Sequence, residues 1–275
     1  MPDPVNNVFV LIPAFNEAET IRALAERALL MAPNVVVVDD GSSDSTVAEL
    51  RGLPITLLRN ERNIGKAASL WKGFDYALAR GADCVVTLDG DGQHRPEDIE
   101  RLLNAAAQFP DSIVIGARLH DKQNFPARRY YANQFARFWI SWASGYPIAD
   151  TQSGFRVYPA SLLARLKQRE ASWQGFVFES EILIVAAARG VRSVAVLIPG
   201  IYPQQARPSH FRPVCDIARI VLMVGGQLLK RGMYPQGLWR SLNPPIVVEV
   251  PTGLRAAASI KLAEGAKAVA PSIHA

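Results

Sequence analysis

Cysteine is scarce in this sequence of 275 residues, which contains Cys84 inside an apolar run and Cys215 far from it. Two distant cysteines exclude a disulfide-stapled scaffold and form no metal-binding spacing. They favour reduced thiols in a cytoplasmic protein. Because 49% of the residues are hydrophobic and 20% are charged, we expect a globular chain that is long enough to bury a core.

Long apolar runs are also missing. Near the C-terminus the longest stretch free of charge and proline is Ile220–Leu229, about half of the roughly 20 residues that a membrane span requires. The N-terminus leads into an apolar segment without the basic region and cleavage site of a signal peptide. We therefore expect a protein that does not cross a bilayer. A glycine-rich dinucleotide fingerprint and a phosphate loop are absent too.

Acidic residues are few in the middle of the chain. Residues 118–240 contain seventeen Lys and Arg but six Asp and Glu, whereas residues 1–117 contain ten and seventeen. The net charges of the two segments are therefore +11 and −7. The split suggests a carboxylate-rich half suited to a metal and a basic half that faces phosphates or an anionic surface. Unevenly distributed, solvated charge is the alternative.

Short apolar runs alternate with helix-like segments over the first 117 residues. Runs that are apolar throughout are typical of strands buried on both faces of a mostly parallel sheet. The predicted strands are Val8–Ile12, Val35–Asp39, Ile55–Arg59, Cys84–Leu88 and Ser112–Gly116, and the predicted helices are Glu17–Met31, Ser45–Arg51, Lys66–Arg80 and Pro96–Ala107. This pattern predicts an open α/β fold whose ligand lies beyond the carboxyl ends of the strands.

The alternation of short apolar runs and helix-like segments ends after Gly116. We predict an aromatic basic helix over Arg129–Ser144 and a loop over Ala149–Gly154. A proline-rich basic loop over Gly200–Pro213 and an apolar helix over Cys215–Gly232, interrupted at a Gly-Gly pair, follow. From Asn243 onward, prolines and then alanine-rich sequence predict a loosely ordered tail.

Asp89-Gly90-Asp91 follows a predicted buried strand. In extended geometry residues i and i+2 point to the same side, so both carboxylates can face one ligand, and Gly90 lets that ligand approach the backbone. With the amide oxygen of Gln93 they form a hard-oxygen set suited to Mg²⁺ or Mn²⁺ bridging substrate phosphates. Such a pair also occurs by chance or in a turn and helix cap, but its place at a strand end favours the metal.

Two further polar clusters end predicted strands, namely Pro13-Ala14-Phe15-Asn16-Glu17 and Asp39-Asp40. Helix starts explain part of each cluster, with Asn16 as one cap and Ser43 or Asp44 as another. Asp40 is the candidate for ligand contact in the second cluster. Three polar strand ends at one edge of a parallel sheet are more than helix capping requires, which indicates a shared ligand site.

These three motifs, in this order and at this spacing, resemble family 2 glycosyltransferases, as does the segment from Arg59 to Ala67. The resemblance covers roughly residues 6–165. It implies a GT-A fold, a nucleotide-sugar donor and an inverting, metal-assisted transfer. We accordingly predict a catalytic domain over residues 1–213, with a nucleotide-sugar half (1–117) and an acceptor half (118–213). An amphipathic membrane-proximal or packing helix (214–242) and the tail (243–275) follow.

Within that family the resemblance is strongest to the dolichyl- and other polyprenyl-phosphate mannosyl- and glucosyltransferases, on the segments Gly116–Arg118, Pro126–Arg129, Asp150–Arg156 and Phe178–Glu181. It implies that the nucleotide-sugar is bound by Pro13, Phe15, Asn16, Glu17, Asp40, Lys66, Asp89, Gly90 and Arg118. It implies a metal on Asp89, Asp91 and Gln93, and an acceptor phosphate on Arg129, Arg207 and Ser209. The chain departs from that pattern just before Phe178 and in the loop Arg207–Arg212, which bears on the identity of the acceptor.

Asp91 and Asp150 are the candidate catalytic residues. Asp91 would act through the metal, a Lewis acid on the departing nucleoside diphosphate, and Asp150 would be the general base for a hydroxyl acceptor on a glycan or glycolipid. A phosphate monoester is largely ionised at neutral pH and needs arginines to position it rather than a base. The basic half favours a polyprenyl phosphate, in which case Asp150 orients the acceptor or an arginine, or caps a turn. UDP- and GDP-linked donors remain equal alternatives.

A lipid acceptor implies a peripheral protein on the inner, cytoplasmic face of a membrane. The helix from Cys215 offers an apolar face flanked by cations, suited to anionic lipid, formed by Ile217, Ile220, Val221, Val224 and Leu228. Candidate anchors are Trp142, Tyr146, Tyr234 and Trp239. Packing on the core and a dimer contact are the alternatives for this helix. We expect His94 and His210 to be local hydrogen-bonding groups rather than metal ligands.

Two other enzyme classes fit less well. A phosphatase with an Asp-x-Asp motif requires it after the first strand, with Thr or Val where this chain has Gln93. A nucleotidyltransferase requires a glycine-rich basic loop where Pro13–Glu17 stands. No nucleic-acid partner is expected.

Overall fold

The computed structural model describes the backbone of residues 7–118, 127–166, 178–199 and 213–250, and the side chains of those ranges except 127–132 and 213–219. Within them lies an eight-stranded sheet with the order β3-β2-β1-β4-β6-β5-β7-β8. Its strands are β1 (Val8–Ala14), β2 (Asn34–Asp39), β3 (Thr56–Arg59), β4 (Cys84–Thr87), β5 (Ile113–Ala117), β6 (Arg156–Pro159), β7 (Ser193–Leu197) and β8 (Val247–Val248). The helices are α1 (Ile21–Met31), α2 (Thr46–Glu49), α3 (Lys66–Leu78), α4 (Ile99–Gln108), α5 (Ala127–Ser144), α6 (Ala160–Leu166), α7 (Phe178–Ala187), α8 (Pro213–Lys230) and α9 (Pro235–Ser241).

The sheet is mostly parallel, as the sequence predicts. β3, β2, β1 and β4 are parallel neighbours, and so are β5, β7 and β8. β6 alone among the described strands runs against its neighbours, between β4 and β5. All five predicted strands are present, which confirms the α/β class.

Apolar side chains cover both faces of the sheet because successive residues of a strand point to opposite sides. Phe9 and Leu11 of β1 join a core cluster with helices α3, α5, α6, α7 and α8. Val8, Val10 and Ile12 join a second cluster with α1 and α4 on the other face. The expectation of burial on both faces is wrong for β3, an edge strand on which Leu57 and Arg59 are exposed.

Helix α1 begins four residues later than predicted. Residues 17–20 form a turn instead, in which the N–H groups of Thr20 and Ile21 donate to the carbonyl of Glu17 at 3.1 and 3.0 Å. Similarly, Pro96–Asp98 is a 3-10 turn that leads into α4. Asp44 rather than Ser43 serves the start of α2, where its carboxylate accepts from the N–H of Thr46 at 2.9 Å.

The end of the described chain differs from expectation in two ways. α8 passes through Gly225 and Gly226 without a break. Residues 243–250 are also not a loose tail, because β8 extends the sheet beside β7 and Val250 is buried. Residues 251–275 lie outside the described ranges.

The apolar face predicted for membrane docking packs on the core. Ile220, Val224 and Leu228 are buried in the cluster around α5 and α7, so the packing alternative is correct for this face of α8. Ile217 lies outside the described side chains, and Val221 is half exposed. No described helix is both long and apolar enough to span a bilayer.

The four residues predicted as membrane anchors differ in their exposure and contacts. Tyr146 is buried. The indole N–H of Trp142 donates to the carbonyls of Met233 and Tyr234 at 3.1 and 3.2 Å, which fixes the α8–α9 turn against α5. The ring of Tyr234 lies under the guanidinium of Arg231, 3.8 Å from it. Trp239, by contrast, is 77% exposed.

Candidate functional site

The loops after β1 and β2 are joined by side chain to backbone hydrogen bonds. The N–H of Asn16 donates to Ser42 Oγ at 2.9 Å, and Asn16 Oδ1 accepts from the N–H of Ser43 at 2.9 Å. The N–H of Glu17 donates to Thr46 Oγ1 at 2.8 Å. Asn16 adopts a positive φ of 58°, a conformation in which asparagine is enriched. Asn16 thus links two loops and does not cap α1, whose N-cap position is Thr20.

Asp40 fixes a third loop. Its Oδ1 accepts from Asn60 Nδ2 at 2.8 Å and from the N–H of Ile64 at 3.0 Å, and its Oδ2 accepts from the N–H of Gly65 at 2.8 Å. The carboxylate is almost fully buried. It therefore holds the segment that leads into α3 and the side chain of Lys66.

The Asp89-Gly90-Asp91 segment packs against the end of β1. A Cβ on Gly90 would lie 3.1 Å from the carbonyl oxygen of Pro13 and 3.3 Å from Glu17 Cγ. The carbonyl of Gly90 accepts from Thr20 Oγ1 at 2.6 Å. On the other side, a side chain at Gly154 would meet the Asp89 carboxylate. The structure therefore brings Pro13, Glu17 and Gly90 into one region, and Gly154 makes room for Asp89.

Lys66 bridges two carboxylates from different parts of the chain. Its Nζ lies 2.7 Å from Asp89 Oδ1 and 2.6 Å from Glu179 Oε1. Burial by itself would lower the pKa of Lys66, but the two carboxylates outweigh it and raise that pKa. Burial likewise opposes ionisation of Asp89, yet Lys66 and other positive groups hold the pKa of Asp89 below its ordinary value. Both groups are charged at neutral pH.

Asp91 stands in a different electrostatic situation. Its Oδ1 accepts from the N–H of Gln93 at 3.0 Å, but burial and the negative charge of Asp89 raise its pKa. The pair carries surplus negative charge that a divalent cation would neutralise. Among the described residues no group of three or more His, Cys, Asp and Glu is placed to hold a metal. Two carboxylates beside Gln93 nonetheless fit Mg²⁺ or Mn²⁺, because such ions take one or two carboxylates and complete their coordination with water and substrate phosphates.

Arg118 and Asp150 form a second polar pair. Arg118 Nε and the Arg118 N–H each lie 3.5 Å from Asp150 Oδ2. Asp150 Oδ1 accepts from the N–H groups of Gln152 and Ser153 at 2.9 and 3.0 Å. Burial opposes ionisation of Asp150, but Arg118 and these N–H donors prevail and lower its pKa. A carboxylate held in this way is a weak base.

Arg156 is the main residue to which the sequence analysis gave no role. Its side chain is fully buried and donates to three backbone carbonyls, those of Ser153, Glu179 and Thr151, at 2.7, 2.7 and 3.0 Å. It thereby fixes the Asp150 loop and the start of α7, where Glu179 stands. A signal was present, since Arg156 interrupts an apolar strand sequence and a buried charge requires partners.

His94 is buried beside Phe155, with ring centroids 5.3 Å apart. Its Nδ1 finds no hydrogen-bond partner among the described residues. Burial lowers the pKa of His94 to about 4, so the ring is neutral at pH 7. Phe15 is half-buried at the end of β1.

The predicted acceptor-phosphate residues stay predictions. Arg207 and Ser209 lie outside the described residues, as does His210. Arg129 belongs to α5, but its side chain is outside the described set.

Comparison with known proteins decides the family. Residues 9–166, more than half of the chain, match the model of Glycosyl transferase family 2. The chain belongs to this family. This glycosyltransferase is 30% identical to a polyprenol monophosphomannose synthase of Mycolicibacterium smegmatis, over 71% of this chain and 77% of that protein. It is 31% identical to an undecaprenyl-phosphate mannosyltransferase of Micrococcus luteus, over 70% and 82%.

A third relative and a solved structure extend the comparison. The glycosyltransferase is 27% identical to a UDP-N-acetylglucosamine–dolichyl-phosphate N-acetylglucosaminyltransferase of Methanococcus voltae, over 72% of this chain and 86% of that one. Its fold resembles glucosyl-3-phosphoglycerate synthase from Mycobacterium tuberculosis, solved with Mn²⁺ and UDP, with a TM-score of 0.60 at 19% identity over 82% and 79% of the two chains. At this identity the structural likeness concerns the fold alone, and it confirms the predicted GT-A architecture.

Proposed function

We propose that this glycosyltransferase moves a hexose from a nucleotide-sugar to a polyprenyl, dolichyl-type phosphate, with inversion and with the aid of Mg²⁺ or Mn²⁺. The observation that carries the proposal is the ion pair of Lys66 with Asp89, two residues before Asp91, at the carboxyl end of the parallel strands. Ligands of open α/β sheets bind at this edge. The names of the relatives, which refer to polyprenol, undecaprenyl phosphate and dolichyl phosphate, support the acceptor class.

The donor side of the site is assigned to the loops after β1, β2 and β4. Pro13, Phe15, Asn16 and Glu17 form the wall that we assign to the nucleoside. The oxygens of Asp40 are already engaged by three donors, so we infer that Asp40 shapes this wall through the loop it holds. UDP- and GDP-linked sugars remain equal alternatives as donors.

The diphosphate lies, in this proposal, at Asp89, Gly90 and Asp91, with Lys66 and Arg118 as the nearby positive side chains. Bound at the two carboxylates beside Gln93, the divalent cation supplies Lewis-acid stabilisation of the departing nucleoside diphosphate. Lys66 and Arg118 add fixed positive charge where negative charge develops.

The low pKa of Asp150 favours a phosphate acceptor over a hydroxyl acceptor. A hydroxyl requires a base that takes its proton, whereas Asp150 is already paired with Arg118. A phosphate monoester is largely dianionic at neutral pH, so it attacks without a base once it is positioned. We therefore assign Asp150 the role of orienting Arg118, and Arg129, Arg207 and Ser209 the acceptor phosphate. A glycan or glycolipid hydroxyl is the second candidate acceptor.

Peripheral contact with a membrane follows from a lipid acceptor, and the structure offers a surface for it. Leu222 and Leu229 are 75% and 72% exposed on the face of α8 opposite its packed residues, and Trp239 of α9 is 77% exposed. Residues 220–248 contain Lys230, Arg231 and Arg240 but no Asp or Glu. Exposed apolar groups flanked by cations suit an anionic lipid surface.

Vesicle binding tests the membrane contact. Trp239→Ser should weaken co-sedimentation with vesicles of anionic phospholipid by several-fold, whereas Leu30→Ser, at a 78% exposed position of α1, should leave it unchanged. Equal loss in both variants, or in neither, would remove this surface from the proposal.

A transfer assay tests the reaction itself. Labelled UDP- and GDP-sugars are offered with polyprenyl phosphate, or with a soluble hydroxyl acceptor, in the presence of Mg²⁺, Mn²⁺ or a chelator. We expect a lipid-phosphate sugar only with polyprenyl phosphate and only with metal, and NMR of the product should show an inverted anomeric centre. Transfer to the hydroxyl acceptor alone would instead establish the second candidate.

A further inference from the structure

Lys66 and Glu179 form an ion pair beside Asp89, and the role of this pair is not limited to binding the donor. We propose that Lys66 competes with the divalent cation for Asp89, and that Glu179 retains Lys66 when the cation takes Asp89, so that this pair sets the metal affinity of the site. The inference rests on the metal dependence proposed above. Lys66 and Glu179 are then positioning residues for the metal.

The charges at this edge support such an exchange. Asp89, Asp91 and Glu179 together carry three negative charges against the one positive charge of Lys66. Arg118 and Asp150 form a separate pair of opposite charges. A divalent cation would offset the surplus of two negative charges that Asp89, Asp91, Glu179 and Lys66 carry together.

Both ends of the pair have fixed backbones. Lys66 is the first residue of α3, and the preceding Gly65 donates its N–H to Asp40 Oδ2 at 2.8 Å. Glu179 lies in the first turn of α7, where the helix dipole favours a carboxylate, and its carbonyl accepts from Arg156 Nη1 at 2.7 Å. Only the flexible four-carbon stem of Lys66 has to adjust for its ammonium to leave Asp89.

Glu179 lowers the free-energy cost of that movement. An ammonium that left Asp89 without a second partner would be a partly buried, unpaired charge, which is strongly unfavourable. Because Nζ already lies 2.6 Å from Glu179 Oε1, Lys66 stays paired after Asp89 is released. Glu179 should therefore strengthen metal binding, and Lys66 should weaken it.

Mn²⁺ binding to the full chain, measured by electron paramagnetic resonance of the free ion, tests these opposite effects. Lys66→Met should bind Mn²⁺ about tenfold more tightly than the unaltered protein, and Glu179→Gln about tenfold more weakly, within the usual range of coupling between sites. The double variant should match Lys66→Met, because Glu179 acts through Lys66. Arg22→Met and Glu26→Gln, which alter an exposed ion pair on α1, are the matched controls and should not change the affinity.

Each outcome separates the possibilities. If Glu179→Gln weakens binding equally with and without Lys66, Glu179 acts by direct charge and the inference is overturned. Unchanged affinity in both single variants, with normal Mn²⁺ binding, overturns it too while the proposed function stands. No Mn²⁺ binding by any form, even with a nucleoside diphosphate, overturns the metal assignment and this inference with it. Thermal melting of each variant shows that a change in affinity is not a loss of fold.

Discussion

The two halves of the site differ in the side chains that hold their loops. In the donor half, carboxylates accept from backbone N–H groups, as Asp40 does from Ile64 and Gly65. In the acceptor half, Asp150 accepts from backbone N–H groups in the same way, and the buried guanidinium of Arg156 in addition donates to three backbone carbonyls. The loop that leads into α3 presents N–H groups that have no partner in the helix, whereas Arg156 serves carbonyls of the turn before β6 and of Glu179. Fixing a site therefore depends on which backbone groups a loop leaves unpaired.

The largest expected effect is a loss of transfer without a loss of stability, caused by a substitution in the donor half, residues 1–117. Asp91→Asn should reduce transfer roughly 10³-fold, because the metal loses a ligand and with it several kcal/mol of transition-state stabilisation. Without metal, the variant should melt at the same temperature as the unaltered protein or at a slightly higher one. Since the pKa of Asp91 is raised in the folded state, its ionised form opposes folding at neutral pH, and asparagine removes that cost. Near-normal turnover would contradict the role of Asp91.

Arg156→Met tests the acceptor half. We expect it to lower the free energy of unfolding by about 3–5 kcal/mol, because three carbonyls lose a charged donor in a buried place. Arg156→Lys should recover only part of this, since a single ammonium cannot serve three carbonyls that the guanidinium reaches with separate nitrogens. Urea denaturation measures both variants. Arg165→Met, at an exposed position of α6, is the control and should stay within about 0.5 kcal/mol.

Asp40→Asn applies the same test to the donor half, with a smaller expected loss of about 1–3 kcal/mol. The amide keeps one acceptor oxygen, but its NH₂ group faces a donor that the carboxylate had satisfied. Urea denaturation and nucleotide binding should both change. If stability fell while nucleotide affinity stayed constant, Asp40 would be a purely structural residue.

The smallest expected effect is at His94, whose ring packs against Phe155 of the other half. It concerns how the free energy of unfolding depends on pH. The pKa of His94 is about 4 in the folded protein and 6.5 ordinarily, so between these values the unfolded chain binds more protons. The free energy of unfolding should therefore fall as the pH is lowered from 6.5 towards 4, and His94→Gln should reduce that slope. In NMR titrations the His94 ring should not change its signal between pH 5 and 8; a midpoint near 6.5 would contradict its burial.

Much of the donor half was readable from the sequence because its signals are local. Apolar runs predicted β1, β2, β4 and β5, and the polar residues after them predicted a site at their carboxyl ends. Boundaries were less certain where two interactions compete, as at Glu17, whose N–H is taken by Thr46 and whose carbonyl closes a turn before α1. The apolar face of α8 was visible in the sequence, but whether it met lipid or core was not, because both offer an apolar surface.

The sequence by itself determined the fold class, the family and the carboxylates at the strand ends, since strand periodicity and short motifs depend on neighbouring residues. Only the tertiary structure decided that Lys66 lies between Asp89 and Glu179, and that Arg156 ties Thr151 to Glu179. These partners come from distant parts of the chain. Arg156 reaches Thr151 and Glu179 because it begins β6, which enters the sheet antiparallel between β4 and β5, a placement that no local pattern encodes.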